Sequence, residues 1–197
     1  MRTGLMPHLA TVADELTVVR SMKTITNVHD PGVNMMNCGS ALFGRPTLGA
    51  WLSYGLGSEN SNLPNYIVLT SGVLKGSQPL LQSFWGNGFL DSRHQGVPFL
   101  KGPESVLHLD NPNGVTAKRR REQLDLLSWM NNRQHDELND PEILSRIASY
   151  EMAFRMQSSV PELTDITQES KETLAAYGAD PGKHSFANNC LLARRLV

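Results

Sequence analysis

A long stretch in the first half of the chain is almost without charge and rich in glycine, and it limits the possible folds more than any other feature. Across residues 31–90 only Arg45, Glu59 and Lys75 are charged, although the chain has Lys+Arg 18 and Asp+Glu 19. Ten of the 16 glycines lie in the same stretch. A solvated loop would carry more charge, so we predict backbone that packs closely against other backbone.

Composition changes after this stretch, and the change predicts two parts within one domain. From Lys101 onward charged residues are frequent, as they are on surface helices. A chain of 197 residues is long enough for one ordinary domain and short for two. We therefore predict a single α/β domain over 1–197, with a glycine-rich, sheet-forming part over 1–110 and a helix-rich part over 111–197.

The two ends of the sequence lack the signals that usually close a domain. The apolar helical pattern of residues 185–197 continues to Val197 without a glycine or asparagine cap. The first predicted element is a helix, and an α/β sheet that opens with a helix has often lost the strand before it. We therefore expect an incomplete domain, the central segment of a larger α/β protein. Expressed by itself, it should aggregate or expose hydrophobic surface.

Charge and cysteine content exclude several classes of protein. The formal net charge is -1 and the pI ≈ 6.6, whereas a nucleic-acid-binding domain usually has a basic face and a high pI. Cys38 and Cys190 are too few for a disulfide-dense scaffold or a four-cysteine zinc site. No apolar run approaches the roughly 20 residues of a membrane-spanning helix. We expect no nucleic-acid partner and no membrane span, and these residues predict neither oligomeric state nor location.

Local patterns predict the order of helices and strands. Strands are predicted over 16–22 and 66–70 as parallel members of one sheet, with shorter candidates over 97–100 and 106–109. Helices are predicted over 5–13, 31–38, 46–54, 116–138, 140–160, 171–177 and 185–197. The clearest helix start is Asp140-Pro141-Glu142, because aspartate caps a helix, proline fits its first position and glutamate favours its first turn. That helix is expected to end before Pro161.

One short motif is a candidate catalytic or metal site, namely His29-Asp30-Pro31 followed by Gly39. The sequence contains no serine-hydrolase elbow, paired-cysteine, zinc-protease or P-loop motif, and the glycines at 55 and 57 lack the third glycine of a dinucleotide fingerprint. A His–Asp pair before a proline-started helix is either a turn with a helix cap or a catalytic or metal site. Adjacent residues at a helix start can converge on a metal or an anion.

A basic run and the scattered histidines give weaker signals. Residues 118–121, Lys-Arg-Arg-Arg, are either a solvated helix face or a site for phosphate or an acidic partner. Four histidines have no neighbours at the spacing of metal ligands, and we interpret them as structural or surface residues: His8, His108, His135 and His184.

Several blocks of the sequence resemble one bacterial family. The most specific are GRPTLGAWLSYGLGSEN at 44–60 and RIASYEMAFRMQ at 146–157. Shorter blocks are VRSM at 19–22, NVHDP at 27–31, VPEL at 160–163 and NCLLARRL at 189–196. On these residues nearly the whole chain resembles the family known as domain of unknown function 1501, sulfatase-like proteins of the alkaline-phosphatase superfamily.

This resemblance implies a fold, an activity and a location. The fold would be a partial alkaline-phosphatase or sulfatase-like three-layer α/β arrangement. The activity would be a metal-dependent hydrolysis of sulfate or phosphate esters, with a divalent metal as cofactor and a small sulfated or phosphorylated molecule as substrate. Family members are exported or periplasmic and carry further metal-binding residues on both sides of this segment, so the segment alone is expected to be inactive.

The resemblance also suggests a role for His29. Sulfatases carry C-x-P-S-R with a glycine ten residues after the cysteine, which becomes the formylglycine nucleophile. Here Pro31 and Gly39 keep that spacing, His29 stands in place of the cysteine and Val33 in place of the arginine. Formylglycine therefore cannot form at this position. His29 would ligate a metal or attack the ester directly, and Asp30 would orient the imidazole or share the metal. A non-catalytic binding or scaffold protein that kept the fold fits these residues equally.

Overall fold

The structure is a computed structural model that describes residues 4–71, 81–99, 106 and 109–197. Seven α-helices occur in this part of the chain: α1 (Pro7–Thr11), α2 (His29–Cys38), α3 (Leu48–Leu56), α4 (Ala117–Leu138), α5 (Pro141–Thr164), α6 (Lys171–Tyr177) and α7 (Phe186–Leu196). Two short strands, β1 (Ile67–Leu69) and β2 (Val97–Phe99), pair in parallel, with Ile67 opposite Val97 and Leu69 opposite Phe99. The mixed helix-and-strand class predicted from the sequence is confirmed.

The small sheet is covered by the longest helix. Phe99 at the end of β2 packs with Leu63, Met156 and Val160, and these four residues form the buried core. Met156 and Val160 belong to α5, so this helix lies against the sheet. Leu196 of α7 packs on the edge of the same core. The hydrophobic residues of β1 and β2 therefore have a helical cover, as strands in α/β sheets require.

Several helix ends lie where local sequence signals place them. Thr116, Asp140 and Ser170 each stand immediately before a helix and accept a hydrogen bond from a backbone N–H of its first turn. Pro141 occupies the first position of α5, where the missing N–H costs nothing. Gly178 ends α6 with a φ of 63°, which glycine adopts without strain.

The predicted end of α5 before Pro161 is wrong, since the helix continues to Thr164. A proline inside a helix removes one hydrogen bond and costs about 3 kcal/mol. Val160 and Leu163 pack in or against the core on either side of the proline, and this burial favours the helical path. Arg195 of α7 also donates to the carbonyls of Glu162 and Leu163, which satisfies acceptors near the helix end.

The prediction of a strand over 16–22 is also wrong. This segment has no regular secondary structure, and Val18, Val19 and Met22 are exposed. A strand-like sequence needs a neighbouring strand to pair its backbone N–H and C=O groups, and this segment pairs with neither β1 nor β2. Of the candidate strand over 106–109, only Val106 and Leu109 lie within the described residues, and residue 100 lies outside them.

The helices α4 and α5 are joined by an ion pair from the basic run. The Arg121 guanidinium binds both carboxylate oxygens of Glu151, at 2.7 and 2.5 Å, and stacks 5.1 Å from the centre of the Phe154 ring. The hydrogen bond from Arg121 lowers the pKa of Glu151 below its usual value. Arg121 is therefore a structural residue.

Within the described ranges, no helix combines the length and the apolar character needed to cross a membrane.

Candidate functional site

The candidate site lies where β1 ends, beside α2. A cavity of about 400 Å³ opens there, and it is lined by Val33 and Asn37 of α2, by Thr70 and Ser71 just after β1, and by Trp85, among others. The carboxyl ends of parallel strands are the usual ligand-binding edge of α/β sheets. Asn37, Thr70 and Ser71 give this edge hydrogen-bonding groups.

His29 and Asp30 are the first two residues of α2, which begins two residues earlier than predicted. The helix can begin at His29 because Pro31 then lies in its first turn. Backbone N–H groups there have no acceptor within the helix, so the missing N–H of proline costs no hydrogen bond. Val28 precedes the helix, and no side chain caps it. His29 therefore does not serve as a cap, which was one of the two interpretations of the motif. Its side chain is exposed, and that of Asp30 is half-buried.

His29 shares one side of α2 with the residues that line the cavity. Val33 and Asn37 follow His29 at intervals of one helical turn, and residues four apart lie above one another on a helix. The side of α2 that carries His29 thus borders the carboxyl end of β1. His29 and Asp30 supply nitrogen and oxygen donors of the types that divalent metals bind. No group of three or more His, Cys, Asp or Glu placed to hold a metal is present among the residues that the structure describes.

The Pro31-to-Gly39 spacing has a structural basis in α2. Gly39 ends the helix with a φ of 72°, in the left-handed region that favours glycine. Asn34 is buried, and its Nδ2 donates to the carbonyls of Ser40 and Leu42, each at 2.9 Å. These hydrogen bonds hold the chain that leaves α2. The distance between the proline and the glycine in the sequence therefore corresponds to the length of this helix.

Two polar features mark the walls of the cavity. Asn189 of α7 donates to the Ser71 hydroxyl at 2.9 Å, which ties α7 to the end of β1. The indole Nε1 of Trp85 is buried and has no hydrogen-bond partner within the described part of the chain. An unsatisfied buried donor costs about 1–3 kcal/mol.

A serine–histidine contact that sequence reasoning missed lies elsewhere in the fold. The Ser53 Oγ is 2.9 Å from Nδ1 of His94, and the Tyr54 ring meets the imidazole edge-on at 5.6 Å between centres. Ser53 is only 3% exposed, so a substrate cannot reach its hydroxyl. Burial lowers the pKa of His94 below its usual value near 6.5; Arg93 acts in the same direction, and Asp91 opposes it. We interpret the pair as a structural contact between α3 and the 3₁₀ turn Ser92–His94.

The burial of His94 makes stability depend on pH. Because the pKa of His94 is lowered in the folded state, the unfolded chain binds its proton more readily. The free energy of unfolding should therefore fall as the pH drops below about 6.5, while above that value the titration has no effect. Melting temperatures at about pH 7.5 and about pH 5.5 measure this. We expect His94→Gln to lose part of the pH dependence, and an unchanged dependence would contradict the assignment.

These features define an α/β protein with a cavity at the carboxyl end of a parallel strand. A family model described as "Protein of unknown function (DUF1501)" matches residues 1–197, and the chain belongs to this family. Comparison with curated proteins gave no match, and comparison with solved structures gave none either. The family is thus established, whereas its description assigns no activity.

Proposed function

We propose that this chain forms part of a metal-dependent hydrolase of sulfate or phosphate esters with a sulfatase-like three-layer fold. The observation that supports this most directly is the position of His29. It begins α2, and it lies on the side of that helix whose next turns line the cavity at the carboxyl end of β1. Open α/β sheets bind their ligands at this edge, so residues that hold a metal or an ester are expected there.

In this proposal His29 contributes an imidazole nitrogen to a metal site. Asp30, which follows it in the first turn of α2, either shares the metal or orients the imidazole. The first backbone N–H groups of α2 have no capping side chain, and they favour negative charge close by. A divalent cation supplies neutralisation of the ester oxygens and polarisation of the leaving group. Its remaining ligands would come from outside the described residues.

The cavity walls suit an oxygen-rich ligand. The hydroxyls of Thr70 and Ser71 can donate hydrogen bonds to sulfate or phosphate oxygens. The amide of Asn37 can donate in the same way. These groups would orient the ester, while the metal would balance its charge.

The test compares His29→Ala with His184→Ala in the intact gene product. Both histidines are exposed, so neither substitution should disturb the core, and His184 lies in the loop before α7. We expect His29→Ala to lose bound divalent metal and to lower the turnover of aryl sulfate or aryl phosphate esters by more than about tenfold. His184→Ala should match the wild type in metal content and turnover.

The opposite outcome has a clear meaning. Unchanged metal content and unchanged turnover in His29→Ala would remove His29 from the site. A non-catalytic binding or scaffold protein that kept the fold would then be the better account.

A further inference from the structure

A second, larger cavity lies between α5, β2 and the 3₁₀ turn Ser92–His94. Its volume is about 490 Å³, within the range of sites that bind small molecules. One wall is apolar and includes Val97, Leu109, Met152 and Met156. Methionine side chains adapt to ligands of different shape, which suits a binding cavity.

The lining of the cavity also carries positive charge. Arg93 and Arg120 both line the cavity, and none of the lining residues that the structure describes is an aspartate or a glutamate. Arg93 is held by a hydrogen bond from Nη2 to the Ser145 hydroxyl at 3.3 Å, and its Nε lies 3.6 Å from a carboxylate oxygen of Asp91. The side chain of Arg93 is still 44% exposed.

Arg120 differs from the arginine that follows it. Arg121 is fully engaged by Glu151 and Asp125, whereas Arg120 is half-buried and makes neither an ion pair nor a side-chain hydrogen bond with the described residues. A guanidinium that pairs with no carboxylate of the described residues can bind the anionic group of a molecule in the cavity. The basic run thus divides into a structural arginine and one that faces a cavity.

We propose that this cavity binds a small amphipathic anion. An aromatic or aliphatic body would lie on Leu109, Met152 and Met156, and a sulfonate, sulfate, phosphate or carboxylate head would bind Arg120 and Arg93. This site is separate from the one at the carboxyl end of β1, and it does not depend on a metal.

Calorimetric titration with 2-naphthalenesulfonate tests the proposal, because this anion has an apolar ring system and no ester bond to hydrolyse. We expect saturable binding that Arg120→Gln weakens by about tenfold or more. Arg119→Gln is the matched control, since Arg119 is an exposed member of the same basic run, and it should bind as the wild type does. The neutral 2-naphthalenemethanol should bind more weakly than the sulfonate.

A second variant separates the cavity from nonspecific binding to exposed apolar surface. Ala148 lies on α5, lines the cavity and is exposed, so Ala148→Phe should occupy the space without disturbing the core. We expect this variant to abolish sulfonate binding, while His184→Ala should leave it intact. Absence of saturable binding, equal effects of Arg119→Gln and Arg120→Gln, or equal affinity for the neutral alcohol would each overturn the proposal.

Discussion

Replacing Phe99 by alanine should lower the free energy of unfolding by about 3–5 kcal/mol, the range for removal of a buried aromatic ring. Phe99 is 2% exposed and ends β2, where it packs on Leu63, Met156 and Val160. Its ring therefore joins the sheet to α5 at the centre of the core. The alanine variant would lose this apolar contact and leave a cavity that the sheet and the helix could close only by shifting towards each other.

Urea unfolding followed by circular dichroism measures the effect. Phe89→Ala is the control, because Phe89 is 70% exposed and its removal should cost within about 0.5 kcal/mol. Similar losses for the two variants would mean that the core does not centre on the contact between β2 and α5.

Gly88→Ala should destabilise the protein by about 2–4 kcal/mol through steric overlap and backbone strain together. Gly88 has a φ of 58°, and a Cβ built there would overlap the backbone of Arg45 and Pro46. The two segments are held together next to this point, where Thr47 donates from its N–H and from its hydroxyl to the carbonyl of Gly86, at 3.2 and 3.0 Å. Alanine would push them apart.

Gly178→Ala separates the two causes. Gly178 has a φ of 63° in the left-handed helical region, but nothing lies within 4 Å of a Cβ placed there. It should therefore show only the cost of the backbone conformation, about 1 kcal/mol. Equal destabilisation by the two variants, measured by urea unfolding, would argue against close backbone packing at Gly88.

The prediction drawn from the glycine-rich stretch is confirmed at some glycines and not at others. Gly88 packs on the backbone at Arg45 and Pro46, as predicted, whereas Gly49 packs on a side chain, the Tyr66 ring, which a Cβ there would overlap. In contrast, nothing lies within 4 Å of a Cβ at Gly32, Gly39, Gly44, Gly55 or Gly57. A high glycine content indicates positions that require glycine. It does not show whether a given glycine is needed for close packing or to end a helix.

Local signals predicted helices better than they predicted strands. Caps at Thr116, Asp140 and Ser170 act within one helical turn, so they can be recognised in the sequence. A strand depends on a partner that is distant in sequence, as β1 depends on β2. The pattern over 16–22 resembles a strand and has no such partner among the residues that the structure describes. The division into parts over 1–110 and 111–197 stays a prediction.

The candidate site could be predicted only where its residues are neighbours in the sequence. His29 and Asp30 were recognisable because they adjoin Pro31 at a helix start. The position of their helix, α2, at the cavity lined by Ser71 depends on how α2 and β1 pack, which no local pattern contains. The contact of Ser53 with His94 and the place of Arg120 at a cavity likewise arise from folding, so sequence spacing gave no signal for them.

The central claim is that His29 binds a divalent metal beside the carboxyl end of β1. Titration of the isotope-labelled intact gene product with Mn²⁺, followed by NMR, tests it most directly, because a bound paramagnetic ion broadens nearby amide resonances first. The account predicts that the amides of His29, Val33 and Ser71 broaden before that of Tyr177 in α6, and that His29→Ala removes this selectivity. Broadening that begins elsewhere, or that is the same in His29→Ala, would contradict the account.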